Sequence, residues 1–263
     1  MESASNRVPG DGSNSERRGS RYNDQSVGRN LMAERKHLDW FRERIAASRS
    51  VEPKDPAPIL AWREKHRSSI RFRADLIRLE DVRDWSRDDQ SNLQHKSGQF
   101  FRIEGARVNS DNLREVTSWD QPIFTQLDGG VLCMVARETA ANGVQFLLQA
   151  IAECGNIDVL QLGPTIQSTW SNIRRAHAGK QPPMLEVLTA KAGVRIVYRA
   201  NHNEEGGRFW KKSNENVVAF LDDERVIETN MKMFHWASLS QIRELALLDN
   251  VLNPFVKTIL LPL

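Results

Sequence analysis

Between Leu148 and Gly179 the chain concentrates side chains that bind polar groups and move protons. They are Gln149, Glu153, Asn156, Gln161, Thr165, Gln167, Ser168, Thr169, Ser171, Asn172, Arg174, Arg175 and His177. A structural core segment would not hold so many amides and hydroxyls beside two arginines. Each one buried without a hydrogen-bond partner costs roughly 1–3 kcal/mol. The stretch is therefore either an exposed loop or the lining of a pocket for a polar ligand, and the rest of the chain favours the pocket.

The elements that must position these residues are read from apolar spacing. Met1 to Asn30 is rich in Ser, Asn, Gly and Arg and holds little aliphatic content beyond Val8 and Val27, the composition of a disordered tail. Leu31, Leu38, Phe41 and Ile45 then mark an amphipathic helix to about Ala47. That helix is either an arm packing on a partner subunit or a cover for its own domain. The prolines of Val51–Pro58 predict an extended linker, Ile59–Arg67 a short helix, and Leu79–Trp85 one or two helical turns. Strands follow at Gln99–Val108, Pro122–Gln126, Val131–Ala136, Val144–Ile151, Ile157–Leu162, Val194–Arg199, Val217–Leu221 and Met231–Trp236, with turns at Asp128-Gly129-Gly130 and Asn142-Gly143. The short turns predict an antiparallel meander. Ser238 and Gln241 have capping-box spacing and open a last helix through Ile242, Leu245, Ala246 and Leu248 to about Asp249. The fold class expected is α+β with an antiparallel or mixed sheet.

Composition narrows the function. At 263 residues, with 40% hydrophobic content and seven tryptophans, the chain supports one domain with appendages. Its 37 Lys+Arg nearly balance 34 Asp+Glu, and no basic run interleaves with aromatics, so no nucleic-acid partner is expected. Cys133 and Cys154 have neither metal-ligand nor disulfide-framework spacing and fit a reducing cytoplasm. No apolar leader or run approaching a membrane span is present. G-x-G-x-x-G, P-loop and G-x-S-x-G patterns are absent, and His37, His66, His95, His177, His202 and His235 show no i,i+4 pairing. Neither a metal nor a redox cofactor is advertised.

Five passages together resemble the NDP-hexose 2,3-dehydratase family of deoxysugar biosynthesis. They are Asn92-Leu-Gln-His95-Lys-Ser-Gly98-Gln-Phe-Phe101; Trp119-Asp-Gln121-Pro122-Ile-Phe-Thr-Gln126; the opening stretch, with Glu153-Cys-Gly155-Asn156, Pro164-Thr165-Ile-Gln167-Ser-Thr169 and Ser171-Asn172-Ile-Arg-Arg175-Ala-His177-Ala-Gly179; Glu204-Glu-Gly206-Gly-Arg208-Phe209-Trp-Lys-Lys212-Ser-Asn214-Glu-Asn216; and Trp236-Ala-Ser-Leu-Ser-Gln241 with Asn253. The resemblance covers about Trp40 to the C-terminus. It implies a Nudix-like fold, in a family whose usual members carry two tandem copies of the unit. This chain shows one, so a homodimer is expected. The chain departs from the family pattern at Ile151 and Cys154, at His202-Asn203-Glu204, and at Asn253-Pro-Phe-Val-Lys257.

The resemblance also implies the chemistry. Family members eliminate water across C2 and C3 of a nucleotide-linked 4-keto-6-deoxyhexose, here expected to be dTDP-linked, and a separate 3-ketoreductase traps the product. The C4 ketone acidifies the C3 proton, so the site needs a base, donors to the C4 oxyanion and an acid for the C2 hydroxyl. It needs no metal and no other cofactor. His95, Glu153 and His177 are candidates for acid and base, and each has an ordinary structural role as its alternative. Gln126, Gln149, Asn156 and Asn172 are candidate donors to the oxyanion or the sugar hydroxyls. Arg175 and Arg208 are chosen for the diphosphate, and Trp119 either stacks on the base or fills the core. Gln121, Thr165, Gln167, Thr169, Lys212, Asn214, Asn216 and Asn253 complete the expected substrate-binding set. A nucleotide-sugar-binding subunit without catalysis is the alternative function.

Overall fold

The computed structural model describes residues 24–111, 115–126, 128–175, 179–189, 192–222, 227 and 231–263. Helix α1 (Asp24–Ser48) begins ahead of the expected Leu31. Phe41, Ile45 and Ser48 form its buried stripe, at the i, i+4, i+7 spacing of one helix face. The helix packs on its own chain, against strands of the main sheet. Helix α2 (Ala57–Ser69) starts inside the segment expected to be an extended linker, with Pro56 at the N-cap and proline in the first turn. A first-turn proline gives up no helical hydrogen bond and brings a helical φ with it, so Pro58 starts the helix and does not break it. The helix expected at Leu79–Trp85 shrinks to one 3₁₀ turn, Leu79–Asp81.

Two sheets replace the single expected meander. β1 (Trp85–Arg87), β2 (Leu93–His95), β3 (Arg102–Asn109) and β4 (Ser118–Thr125) form a small antiparallel sheet in sequence order. The main sheet contains β5 (Gly130–Thr139), β6 (Gly143–Ala152), β7 (Leu160–Gly163), β8 (Ile166–Thr169), β9 (Val194–Asn203), β10 (Ser213–Leu221) and β11 (Phe234–Ser238). Its order is β11-β6-β5-β10-β9, and β10 runs parallel to β5 while the other pairs are antiparallel. The Asp128–Gly130 turn carries the chain from one sheet to the other. A Cβ on Gly129 would lie 2.2 Å from the Ser213 carbonyl oxygen, so only glycine permits this approach.

The β5–β6 hairpin splays open beyond Val135↔Leu147, and β7 and β8 fill the split. Thr165 sits in the crotch with no exposure; its hydroxyl accepts from Val135 N at 2.9 Å and donates to the Leu147 carbonyl. Along β5, Leu132, Met134 and Ala136 face one core while Val131, Cys133 and Val135 face another, the two-residue alternation of a strand covered on both sides. The first core also takes residues from α1, α2, α4 (Leu239–Leu245) and α5 (Pro254–Leu260). The capping box of Ser238 and Gln241 is present, although α4 ends at Leu245, short of Asp249. Helix α5 was not anticipated. The architecture is α+β, with one antiparallel and one mixed sheet.

Candidate functional site

Strand register brings the amides of distant motifs into rows. Asn216 on β10 pairs with Leu132 on β5, and Leu132 pairs with Gln167 on β8; one step along, Asn214, Gly130 and Thr169 are likewise aligned. Paired residues share a face, so these amides lie on the side of the sheet that carries Leu132, Met134, Val218 and Phe220. At this end the aliphatic core gives way to a cavity of about 570 Å³. Its lining includes Leu132, His202, Glu204, Arg208, Phe209, Asn214, Asn216, Pro254 and Phe255.

Two hydrogen-bonded clusters frame it. Glu153, at the end of the β6 region, accepts from Gln167 Nε2 at 2.8 Å on Oε1 and from Asn253 Nδ2 at 3.3 Å on Oε2. Asn253 is itself the N-cap of α5, its Oδ1 accepting from Phe255 N at 3.0 Å. In the second cluster Glu204 Oε1 accepts from Asn214 Nδ2 at 2.7 Å and lies 3.3 Å from Lys212 Nζ. The Lys212 and Glu204 side chains are only 9% and 12% exposed, and the ammonium stands 4.7 Å from the Phe209 ring centroid. Asn216 Nδ2 donates to the Asn214 carbonyl at 3.1 Å. Asn216 Oδ1 and Gln167 Oε1 are both buried without a hydrogen-bond partner among the described residues. An amide oxygen left so costs roughly 1–3 kcal/mol, a deficit that a donor such as a ligand hydroxyl relieves.

An adjoining cavity, also about 570 Å³, lies between the small sheet and the 203–212 segment. It shares Glu204, Phe209 and Asn203 with the first and adds Trp119, Gln121, Trp210, Lys211 and Lys212. Trp119 Nε1 donates to Gln121 Oε1 at 2.8 Å, and Gln121 Nε2 donates to the Gly207 carbonyl at 2.7 Å. Phe124 N and O bond to Arg208 O and Trp210 N, each at 2.8 Å, which stitches β4 to this segment. A third cavity, about 790 Å³, is lined by Gln99, Arg102, Gln126, Asp128, Arg174 and Arg175 among others. Arg174 pairs there with Asp128, and Arg175 adopts a left-handed φ of 58°.

The expected site residues thus divide. Arg208, Asn214 and Asn216 line the first cavity, and Glu153, Gln167 and Asn253 brace the elements around it. Trp119, Gln121 and Lys212 line the second; Gln126 and Arg175 line the third. Others are engaged elsewhere. Thr165 bridges two strands with no exposure, which takes it out of a ligand-facing role. Asn156 Nδ2 donates to Val159 O at 3.2 Å within a turn, Thr169 caps α3 (Trp170–Ile173), which contains Asn172, and Gln149 faces Gly163 across β6–β7. His95 lies on the small sheet, its Nδ1 2.8 Å from Ser97 Oγ and its ring against Phe100. His177 lies outside the described residues. Burial pushes the Cys133 thiol up to about 12, which leaves it no nucleophilic thiolate at neutral pH.

Local sequence does not separate the enclosed Glu204 from its exposed neighbour Glu205, so the motif alone does not mark Glu204 as a site residue. Among the family departures, Ile151 packs against Gly163 and Cys154 is exposed, whereas His202, Asn203 and Phe255 line the first cavity. Among the described residues, no group of three or more His, Cys, Asp or Glu is placed to hold a metal ion, and no helix is long and apolar enough to cross a membrane.

The NDP-hexose 2,3-dehydratase family model matches residues 56–263. The dTDP-4-dehydro-6-deoxy-alpha-D-glucopyranose 2,3-dehydratase of Saccharopolyspora spinosa is 34% identical over 191 residues, 72% of this chain and 38% of that protein. The protein of the same name from Streptomyces violaceoruber is 31% identical over 207 residues, 78% of this chain and 45% of its own. That of Amycolatopsis orientalis is 32% identical over 211 residues, 77% and 43%. The chain spans less than half the length of these relatives. Over the region that carries both sheets and all three cavities, it belongs to the NDP-hexose 2,3-dehydratase family.

Proposed function

We propose that this chain eliminates water across C2 and C3 of a dTDP-linked 4-keto-6-deoxyhexose, as a cytoplasmic enzyme of deoxysugar biosynthesis. The observation that carries this reading is the meeting of Gln167 from β8 with Asn214 and Asn216 from β10 at a cavity lined by the two asparagines, where the buried amide oxygens of Asn216 and Gln167 have no donor among the described residues. A hexose supplies such donors as hydroxyls. The sugar occupies this cavity, and the nucleotide lies in the adjoining one, where Trp119 offers a ring face for the base and Lys211 a cation. Arg208, exposed at the junction, takes the diphosphate.

Purified protein incubated with dTDP-4-keto-6-deoxyglucose, a 3-ketoreductase and NADPH is expected to consume NADPH and yield a dTDP-2,6-dideoxy sugar. If NADPH consumption stays at the level of the reductase alone while the reductase accepts authentic diketone, the dehydratase reading fails.

The helix-flanked mixed sheet supports the Nudix-like fold that the resemblance implies. A homodimer completes the proposal. The extended segment between α2 and the 3₁₀ turn leaves Leu76 fully exposed and Ile77 more than half exposed, and Leu79 at the start of the turn is also more than half exposed, an apolar row that a second copy covers. Wild-type protein is expected to sediment as a dimer at micromolar concentration and Leu76→Asp/Ile77→Asp as a monomer. A monomeric wild type overturns the pairing.

A further inference from the structure

We propose that Glu204 is the proton-transfer group of the elimination, an assignment that rests on the dehydratase reading above. Two carboxylates compete for the role near the sugar cavity. Both oxygens of Glu153 already accept amide hydrogen bonds, from Gln167 and Asn253. Glu153 is therefore a brace between β8 and α5. Glu204 is differently placed. Asn214 and Lys212 both engage Oε1, and Oε2 has no partner among the described residues. Glu204 also lines both the sugar cavity and its neighbour. The remaining titratable groups of the sugar cavity are His202, whose Nε2 is 3.0 Å from the Tyr198 hydroxyl, and the exposed Glu205–Arg208 pair. Among the described residues, Glu204 is the one carboxylate of that cavity that is both enclosed and open at one oxygen.

In a gluco-configured ring the C3 hydrogen and the C2 oxygen lie on the same face, so one carboxylate beneath that face reaches both. Glu204 Oε2 takes the C3 proton, and the C–H electron pair moves onto the C4 oxygen as an enolate. That pair then returns to form the C2=C3 bond as the C2–O bond breaks and its electrons leave on oxygen. The proton held by Glu204 transfers to the departing oxygen, water leaves, and the carboxylate is regenerated. The remaining C3 enol tautomerises to the 3,4-dione by proton exchange with solvent. No oxidant or reductant is required. Lys212 and Asn214 act through Oε1 as positioning residues.

The test compares Glu204→Gln, Glu204→Ala and Glu153→Gln with wild type in the coupled assay and in titration calorimetry with dTDP-4-keto-6-deoxyglucose. Glu204→Gln is expected to bind the sugar within about threefold of wild type and to lose about 10²–10⁴-fold in kcat. Glu204→Ala is expected to regain about tenfold when formate is supplied, as a missing proton-transfer group allows, whereas formate leaves Glu153→Gln unchanged. Glu204→Asp, which keeps the ion pair, serves if the other variants do not fold; it is expected to lower kcat with little change in KM. An active wild type with Glu204→Gln within tenfold of it, or a folded Glu204→Ala that formate does not rescue, overturns the assignment and leaves the dehydratase reading intact. An inert wild type overturns both.

Discussion

Replacing Lys212 with methionine is expected to lower the free energy of unfolding by about 3–5 kcal/mol. The ammonium lies 3.3 Å from Glu204 Oε1, and both side chains are about nine-tenths buried. Methionine keeps much of the lysine stem and its packing on Phe209, so the loss comes from stranding the Glu204 charge. Replacing a buried pair as a whole is far milder than removing one member. Lys212→Met/Glu204→Met is therefore expected to recover most of the loss. Urea titrations followed by circular dichroism give both values. A double variant as unstable as the single one would show that the loss is packing and not stranded charge.

The second large effect is expected at Phe41. Its side chain has no exposure and meets Phe146 and Phe220 edge-on, at centroid distances of 6.0 and 5.6 Å. Those rings belong to β6 and β10, so Phe41 pins α1 to both halves of the main sheet. Truncation to alanine removes the ring and leaves a cavity that close-packed neighbours fill only in part, at a cost of about 3–5 kcal/mol. At ~2–4 °C per kcal/mol for a domain of this size, the melting temperature falls by about 6–20 °C. Hydrogen exchange is expected to rise first in α1 and in β9 beneath it. A loss below about 1 kcal/mol would contradict the packing of α1 on the sheet.

Much of this architecture is legible in local sequence, because a strand's two-residue alternation and a helix's four-residue stripe are written into apolar spacing. Val131–Ala136 and Val144–Ile151 lie within β5 and β6, and Ser238 with Gln241 marks the start of α4. What local sequence does not contain is the partner of each strand. β5–β6 is a hairpin as the Asn142-Gly143 turn implies, but nothing near Val217 announces a parallel neighbour at Cys133. Helix α5 escapes notice because seven residues opening on a proline give too short a window for periodicity. The candidate site follows the same division. Asn214, Asn216, Gln167 and Asn253 are legible as motif amides, yet their convergence depends on register. Thr165 reads as a ligand group until the splayed hairpin shows what its hydroxyl bridges. Lys212 reads as a substrate-binding cation, and its enclosed pairing with Glu204 is invisible locally because burial of an ion pair is set by tertiary packing.

The parallel pairing of β5 with β10 also sets a timetable for synthesis. β5 is buried along most of its length, and the strand that covers one of its edges is translated roughly eighty residues later, a long-range closure of the kind that slows folding. At 5–20 residues per second, the nascent chain carries that apolar edge unpaired for on the order of ten seconds. The β5–β6 hairpin and the β7–β8 insert can assemble in that interval, since their partners are already made. The centre of the sheet closes only after β10 has left the ribosome, and until then the open edge of β5 is the place where a chaperone or another nascent chain would bind.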